Sequence, residues 1–307
     1  AALHRGAAEL PAPTHGIARL EATGTAVEPL PSVTPAVGDD VPVVVFPILH
    51  GTRGEDGTVQ GMLELANVPF VGAGVLGSAL CMDKLKAKDV LAAHGLPQVP
   101  WIGLRDVDAT DVGRLVAEAG LRYPLFVKPA NLGSSVGVSR VVDPTRLREA
   151  ADLAATYDEW IVVEEGAHGR EIEVAVLGNA SPRASVPGEI VPGNEFYDYE
   201  DKYVDDEADL VIPADLPADV TEEVRRLAVD AFTLLRCDGM ARVDFFYEAD
   251  GRGLLVNELN TIPGFTPISM YPKLWAASGL PYEALVDELV DLALERHDRR
   301  NRFSTKR

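Results

Sequence analysis

Two cysteines, seven lysines and no long apolar run set the first limits on this 307-residue chain. Cys81 and Cys237 lie far apart in the sequence in apolar surroundings, so they read as two buried, reduced thiols rather than a disulfide framework. No Cys/His cluster indicates zinc. The longest apolar stretch, 41–49, falls well short of the roughly 18–20 residues a bilayer span needs, so no membrane role is expected. Nor does a charged start lead into an apolar segment of the kind that directs secretion, which leaves the cytoplasm as the expected compartment. Basic residues number 28 against 48 acidic ones, a net charge of −20 that repels phosphate backbones, so nucleic acid is not an expected partner. Repeats and low-complexity tracts are absent too.

What is present is a globular composition, 47% apolar and 25% charged, long enough for two domains or three small ones. The first forty residues carry little periodic signal and open on Ala-Ala-Leu without a methionine, so further sequence is expected upstream of Ala1. The run 41–49 has the β-branched character of a buried strand and leads into a Gly-rich loop, 50–58. A helix over 59–66, a short strand at 69–71 and one long helix over 75–94, closed by Gly95, follow. This strand-helix alternation favours a parallel, helix-covered sheet. Shorter elements come next: strands at 101–104, 125–128 and 136–142, a helix over 111–119, and a helix opened by Asp143-Pro144. Strands at 160–165 and 170–177 begin a third region that ends in helices over 217–235 and 282–296. The basic tail beyond Glu295 reads as a solvated end. The fold class is thus mixed α/β and α+β.

Gly72-x-Gly74-x-x-Gly77 has the literal form of a dinucleotide-binding fingerprint. The acidic residue such a unit needs at the tip of the next strand is missing, since Asp89 falls inside the predicted helix, so a tight strand-to-helix turn is the better reading. Lys128 ends a strand and is followed at once by Asn131-Leu-Gly133-Ser134-Ser135-Val-Gly137. A lysine beside glycines and serines can meet phosphate oxygens, although an ordinary hairpin loop has the same composition.

The densest constellation spans 239–264. Two β-rich runs, 240–247 and 254–259, flank an Asp250-Gly251 turn, a strong hairpin signal. Period two places Arg242 and Asp244 on one face, and Glu258 and Asn260 likewise. Two carboxylates and an amide oxygen form a hard donor set suited to magnesium on nucleotide phosphates, unless these charges merely face solvent. The loop beyond, Pro263-Gly264, offers backbone N–H groups for an oxyanion hole together with Arg242, or is simply a turn. The segment 193–209 is long, aromatic and charged, and reads as a lid; its Lys202 is one of the few cations available to an anionic nucleotide.

In order, these motifs resemble the ATP-grasp superfamily and, within it, the D-alanine-D-alanine ligase family. The resemblance rests on His50-Gly-x-x-Gly54-Glu55-Asp56-Gly57, Met82-Asp-Lys84, Lys128-Pro129 with 133–137, Phe196-Tyr-Asp-Tyr-Glu-x-Lys202-Tyr203, Arg242-x-Asp244, and Asn257-Glu258-Leu-Asn260-Thr-x-Pro-Gly264. It covers about 41–296. It implies an N-terminal parallel-sheet, substrate-binding domain over 1–82, incomplete at its start, a central domain over 83–163 and a catalytic domain over 164–307. It also implies ATP with two Mg²⁺ ions, or Mn²⁺, and a homodimer.

Carried over residue by residue, Lys84, Lys128 and Lys202 contact the ATP phosphates. Glu164, Glu165 and Ala167 form the adenine hinge, Glu171 binds ribose, and Ser134, Ser135, Phe196 and Asn257 complete the nucleotide set. Asp244, Glu258 and Asn260 hold the metals. Arg242 and the Gly264 N–H meet the oxyanion, while His50, Ser134, Tyr197, Tyr203, Ser269 and Met270 hold two D-alanine molecules. The implied chemistry is ligation of D-alanine to D-alanine through an acyl phosphate for peptidoglycan precursors. A glycine-rich element with a glutamate for the first substrate's amine is not found before 41; either it lies upstream of Ala1 or this chain lost it, and loss would leave the first substrate poorly held. Tyr203 stands where relatives making depsipeptides tend to have phenylalanine, so an amine is favoured over D-lactate as the second nucleophile. The competing readings are a ligase that joins or cyclises other D-amino acids and a non-catalytic nucleotide-binding module.

Overall fold

The computed structural model describes residues 43–133, 135–191 and 209–303. Its first stretch is a turn-rich layer with helix α1 (Thr58–Leu65), whose Leu63 packs with Val68 and Phe70. The predicted strand over 41–49 is reduced, within the described residues, to a parallel bridge between Val45 and Phe70, held by Val45 N–H on Pro69 O and Val71 N–H on Val45 O, both 2.9 Å. Ile48 and Leu49 are exposed.

The long helix expected over 75–94 is two helices, α2 (Val75–Met82) and α3 (Lys84–Ala93). They break at Asp83, which is extended (φ −81°, ψ 98°) and accepts the Lys86 N–H at 3.0 Å. Hydrophobic periodicity is blind to such a break; an N-cap carboxylate satisfies a helix-start donor that would otherwise be orphaned. Lys84 is thereby the first residue of α3. Gly95 does close that helix with φ +76°.

A four-stranded antiparallel sheet follows, in the order β1-β4-β2-β3, from β1 (Trp101–Arg105), β2 (Leu125–Pro129), β3 (Ser139–Val141) and β4 (Trp160–Glu165). The strand over 160–165, expected to open the third region, instead lies inside this sheet. Leu125, Val127, Ile161 and Val163 pack beneath helices α4 (Val112–Ala119) and α5 (Leu147–Ala155). Period two then turns Phe126, Lys128, Val162 and Glu164 to the opposite face. The third strand is shorter than the predicted 136–142. Gly137 has φ +73°, and a Cβ there would come within 2.9 Å of both Tyr157 and Pro129, so the chain turns before it can pair.

The larger sheet has the order β10-β9-β5-β7-β8, with β6 paired to β5. Its strands are β5 (Arg170–Gly178), β6 (Arg183–Ala184), β7 (Gly188–Val191), β8 (Asp209–Val211), β9 (Gly239–Glu248) and β10 (Gly253–Asn260). The short β6, β7 and β8 have no counterpart in the sequence reading. Of the expected lid, 193–208 lies outside the described residues and Asp209 begins β8. Helix α6 (Ala218–Leu234) covers one face through Val174, Val176, Phe232, Val243 and Phe245. Helices α7 (Met270–Ala277) and α8 (Tyr282–Asn301) cover half of the other, over Ala175, Leu177 and Met240. The remaining half of that face, with Glu171, Glu173, Arg242 and Asp244, is left to line a cleft.

Candidate active site

The cleft exists because two elements break their own regularity. In β10, Leu254 and Val256 point to α6, and unbroken alternation would send Glu258 the same way. A register shift between Val256 and Glu258 inserts Asn257 as a bulge, so Leu259 takes the buried position while Glu258 pairs opposite Asp244 and Asn260 opposite Arg242. All four polar side chains therefore belong to one wall, and all four line a cavity of about 610 Å³. The break at Asp83 does the same for the opposite wall. Lys84 N–H bonds to Ala130 O at 3.0 Å, and its ammonium donates to Leu132 O at 2.5 Å.

A second cavity of about 470 Å³ adjoins the first; Lys84, Gly133, Glu171, Asn257 and Glu258 line both. His50, Arg242, Asp244, Asn260, Gly264, Ser269 and Met270 line the larger one alone. Lys128, Ser135, Glu164, Glu165 and Ala167 line the smaller one. Every site residue named from the sequence that lies among the described residues thus faces this double cleft. Ser134, Phe196, Tyr197, Lys202 and Tyr203 lie outside them.

Arg242 is held in a carboxylate cage. Its Nε and Nη2 each donate to an Asp244 oxygen at 2.7 Å, and Nε stands 3.2 Å from Glu173. Burial alone lowers the affinity of this guanidinium for its proton, but Asp244 and Glu173 outweigh it and hold it above the usual arginine range. Asn260 donates its amide N–H to Asp244 at 2.9 Å, so its amide oxygen is the atom a cation would take. At the rim, His50 Nδ1 lies 2.9 Å from Ile262 O, and Ser269 Oγ accepts the Thr266 N–H at 3.1 Å beneath Gly264. A Cβ on Gly264 would stand 3.0 Å from that hydroxyl, so a side chain there would press on Ser269.

In the smaller cavity Glu164 meets Lys128 at 2.5 Å and Lys88 at 2.9 Å. Burial would raise its pKa, yet Lys128 and Lys88 overcome this and bring it to about 2. Burial pushes the Lys84 and Lys88 ammoniums down. The Glu165 carboxylate is taken by the Arg122 N–H and guanidinium (3.0–3.2 Å) and by Arg252.

Three residues at the site were given no role from sequence. Glu55, within the His50-Gly motif, accepts the Gly51 N–H at 2.7 Å and is raised by burial. Glu173 lies two residues beyond Glu171, on the same strand face. Lys88 lies one helical turn beyond Lys84 on the same helix and stands behind Glu164. Cys81 and Cys237 are both buried, as expected, and face each other at 3.4 Å as free thiols.

The family described as D-ala D-ala ligase C-terminus matches residues 90–291, and that described as D-ala D-ala ligase N-terminus matches residues 15–73. The D-alanine–D-alanine ligase of Solibacter usitatus (strain Ellin6076) is 56% identical over 254 residues, 83% of this chain and 77% of that protein. The D-alanine–D-alanine ligase A of Salmonella typhimurium is 51% identical over 279 residues, 91% of this chain and 74% of that one. Among solved structures, the D-alanine-D-alanine ligase from Coxiella burnetii superposes with a TM-score of 0.76 at 46% identity, covering 84% of this chain and 70% of that one. The VanG D-Ala:D-Ser ligase from Enterococcus faecalis gives 0.75 at 38% identity, covering 81% and 72%.

Proposed function

The chain belongs to the D-ala D-ala ligase family, and on that premise we propose that it joins two D-alanine molecules at the expense of ATP, supplying peptidoglycan precursors in the cytoplasm. The observation that carries this reading is the double cleft, with lysines on one side and Arg242, Asp244, Glu258 and Asn260 on the other.

Nucleotide fits the smaller cavity, its adenine near Glu164, Glu165 and Ala167, its ribose at Glu171 and its phosphates toward Lys84 and Lys128. Because the Glu164 and Glu165 side chains are committed to lysines and arginines, the backbone of this segment is the part left to read the base. The donor set of Asp244, Glu258 and the Asn260 amide oxygen fits two Mg²⁺ or Mn²⁺ ions, being all oxygen. Bound there, the ions would neutralise charge on the transferring phosphoryl group.

A carboxylate is a poor electrophile for an amine, so the first D-alanine carboxylate must attack the γ-phosphate, displace ADP and become an acyl phosphate. Lys84 and Lys128 offset the charge of that transfer. The second D-alanine attacks as a neutral amine, the oxyanion that develops meets Arg242 and the Gly264 N–H, and its collapse breaks the acyl–oxygen bond and expels inorganic phosphate as the amine gives up its proton. Arg242, caged by Glu173 and Asp244, is oriented in advance and stays protonated throughout. His50, Ser269 and Met270 border the space for the two amino acids. Ser134, Phe196, Tyr197, Lys202 and Tyr203 enter this reading by sequence alone, as does a homodimer.

Phosphate release with ATP, Mg²⁺ and D-alanine tests the proposal, with D-alanyl-D-alanine as the expected product. Likeness to a D-Ala:D-Ser ligase supports a second reading in which another amino acid is the nucleophile. Mass spectrometry of products from mixed amino acids separates the two: a dominant mixed dipeptide overturns the D-alanine assignment and leaves the phosphoryl chemistry standing.

A further inference from the structure

Lys88 touches neither cavity, yet it is among the most buried charges of the described residues. Only 3% of its side chain is exposed, against 5% for Glu164 and 12% for Lys128. Burying an ammonium this deeply costs several kcal/mol unless its charge is used. Its partner is Glu164, 2.9 Å away, in a contact that is ionic without hydrogen-bond alignment. Packing alone does not call for it: an apolar side chain of similar length would be buried at this position at lower cost.

The charge count supplies a reason. Glu164 lies between two ammoniums, Lys128 toward the cavity and Lys88 behind it. With both lysines the trio carries one net positive charge facing the nucleotide space. Without Lys88, Glu164 and Lys128 form a closed, neutral pair, and the cavity loses a cation it can present to phosphate. Glu258 adds negative charge on the opposite wall, and Lys84 is the other ammonium nearby, so the balance at this spot is thin. The chain as a whole, at −20, offers no compensating field.

We propose that Lys88 is a positioning residue for the polyphosphate: by sharing Glu164 from behind, it frees Lys128 to hold the nucleotide's phosphates. The inference rests on the nucleotide site of the proposed function but requires nothing of D-alanine. It is read by binding alone. The ratio of the adenosine Kd to the Mg-ADP Kd, measured by calorimetry, isolates the contribution of the phosphates.

Lys88→Met lowers this ratio on the order of 10- to 100-fold, which is what one unit charge roughly 6–12 Å from an anion is worth at an effective dielectric of about 20. Lys88→Arg keeps the charge and stays near the wild-type ratio. Lys88→Met combined with Glu164→Gln restores the net charge and recovers most of the loss, while Glu164→Gln alone raises the ratio or leaves it unchanged. Should Lys88→Met not fold, the double variant against Glu164→Gln reads the same charge, with the double variant the weaker. Adenosine and ADP weakened equally, Lys88→Arg as damaging as Lys88→Met, or a double variant no better than Lys88→Met would each overturn the proposal. A wild-type chain that binds Mg-ADP but makes no dipeptide would defeat the proposed reaction and leave this inference intact, whereas one that binds no ADP would end both.

Discussion

At the scale of single residues the site is a set of charges that correct one another. On the proposed chemistry Arg242 acts only when the oxyanion forms, so Arg242→Ala is expected to cost about 10²- to 10³-fold in kcat, read by steady-state phosphate release. Glu258→Gln is expected to lower kcat far more than it loosens D-alanine, and equal losses would indicate a folding defect instead. Glu164 makes a separate prediction. Its pKa of about 2 lies below its ordinary 4.5, so the stability it contributes is complete above pH 4.5 and drains away as pH falls through that window toward 2. Urea unfolding between pH 2 and 5 is expected to show a shallower acid loss in Glu164→Gln than in the wild type. Arg242, Asp244, Glu258 and Asn260 were legible because polar residues at core-facing strand positions stand out against their neighbours. Lys88 was not: a lysine in a helix that alternates Lys86, Lys88 and Asp89 with small residues reads as solvated, and only its approach to Glu164 of β4 reveals the burial.

At the scale of elements, the two features that build the cleft are interruptions. Strands β9 and β10 were recognisable from their hairpin turn, but the bulge at Asn257, which decides which way Glu258 points, leaves no mark in a period-two pattern. Helices α2 and α3 merged into one in the sequence because apolar periodicity runs through Asp83. Strands β6, β7 and β8 escaped notice because two to four residues are too few to show alternation. Glycines separate the supports from the spacers. A Cβ on Gly77, in α2, would stand 2.6 Å from the backbone oxygen of Arg236, which cannot yield as a side chain could. Gly77→Ala is expected to destabilise by about 1–3 kcal/mol, seen as a lowered denaturant midpoint. Gly61, inside α1, has only Val75 near its Cβ position, at 3.9 Å. Gly61→Ala is expected to stabilise by about 0.5–1 kcal/mol in the same assay, since the helix gains a better former without a clash.

At the scale of the molecule, a chain with net charge −20 gathers three of its seven lysines, Lys84, Lys88 and Lys128, around one cleft. Added salt therefore has two opposite effects. Raising NaCl from about 10 to 300 mM shortens the screening length from roughly 30 Å to under 10 Å. Relief of self-repulsion is expected to raise Tm in a thermal melt, while the same screening weakens ADP in a titration. Among the described residues no helix is long and apolar enough to cross a membrane.

The strand that carries Glu258 and Asn260 is the outermost of its sheet. Such a rim is ordinarily adhesive, since its unpaired amides can recruit a foreign polypeptide and seed polymerisation. Here the Val256 N–H is already engaged by the carbonyl of Pro97, 2.8 Å away, in the connection that leaves α3. The kink at Asn257 further spoils the straight template that a docking strand would need. The irregularity that aims the chemistry inward thus also guards the enzyme against sticking to its own copies.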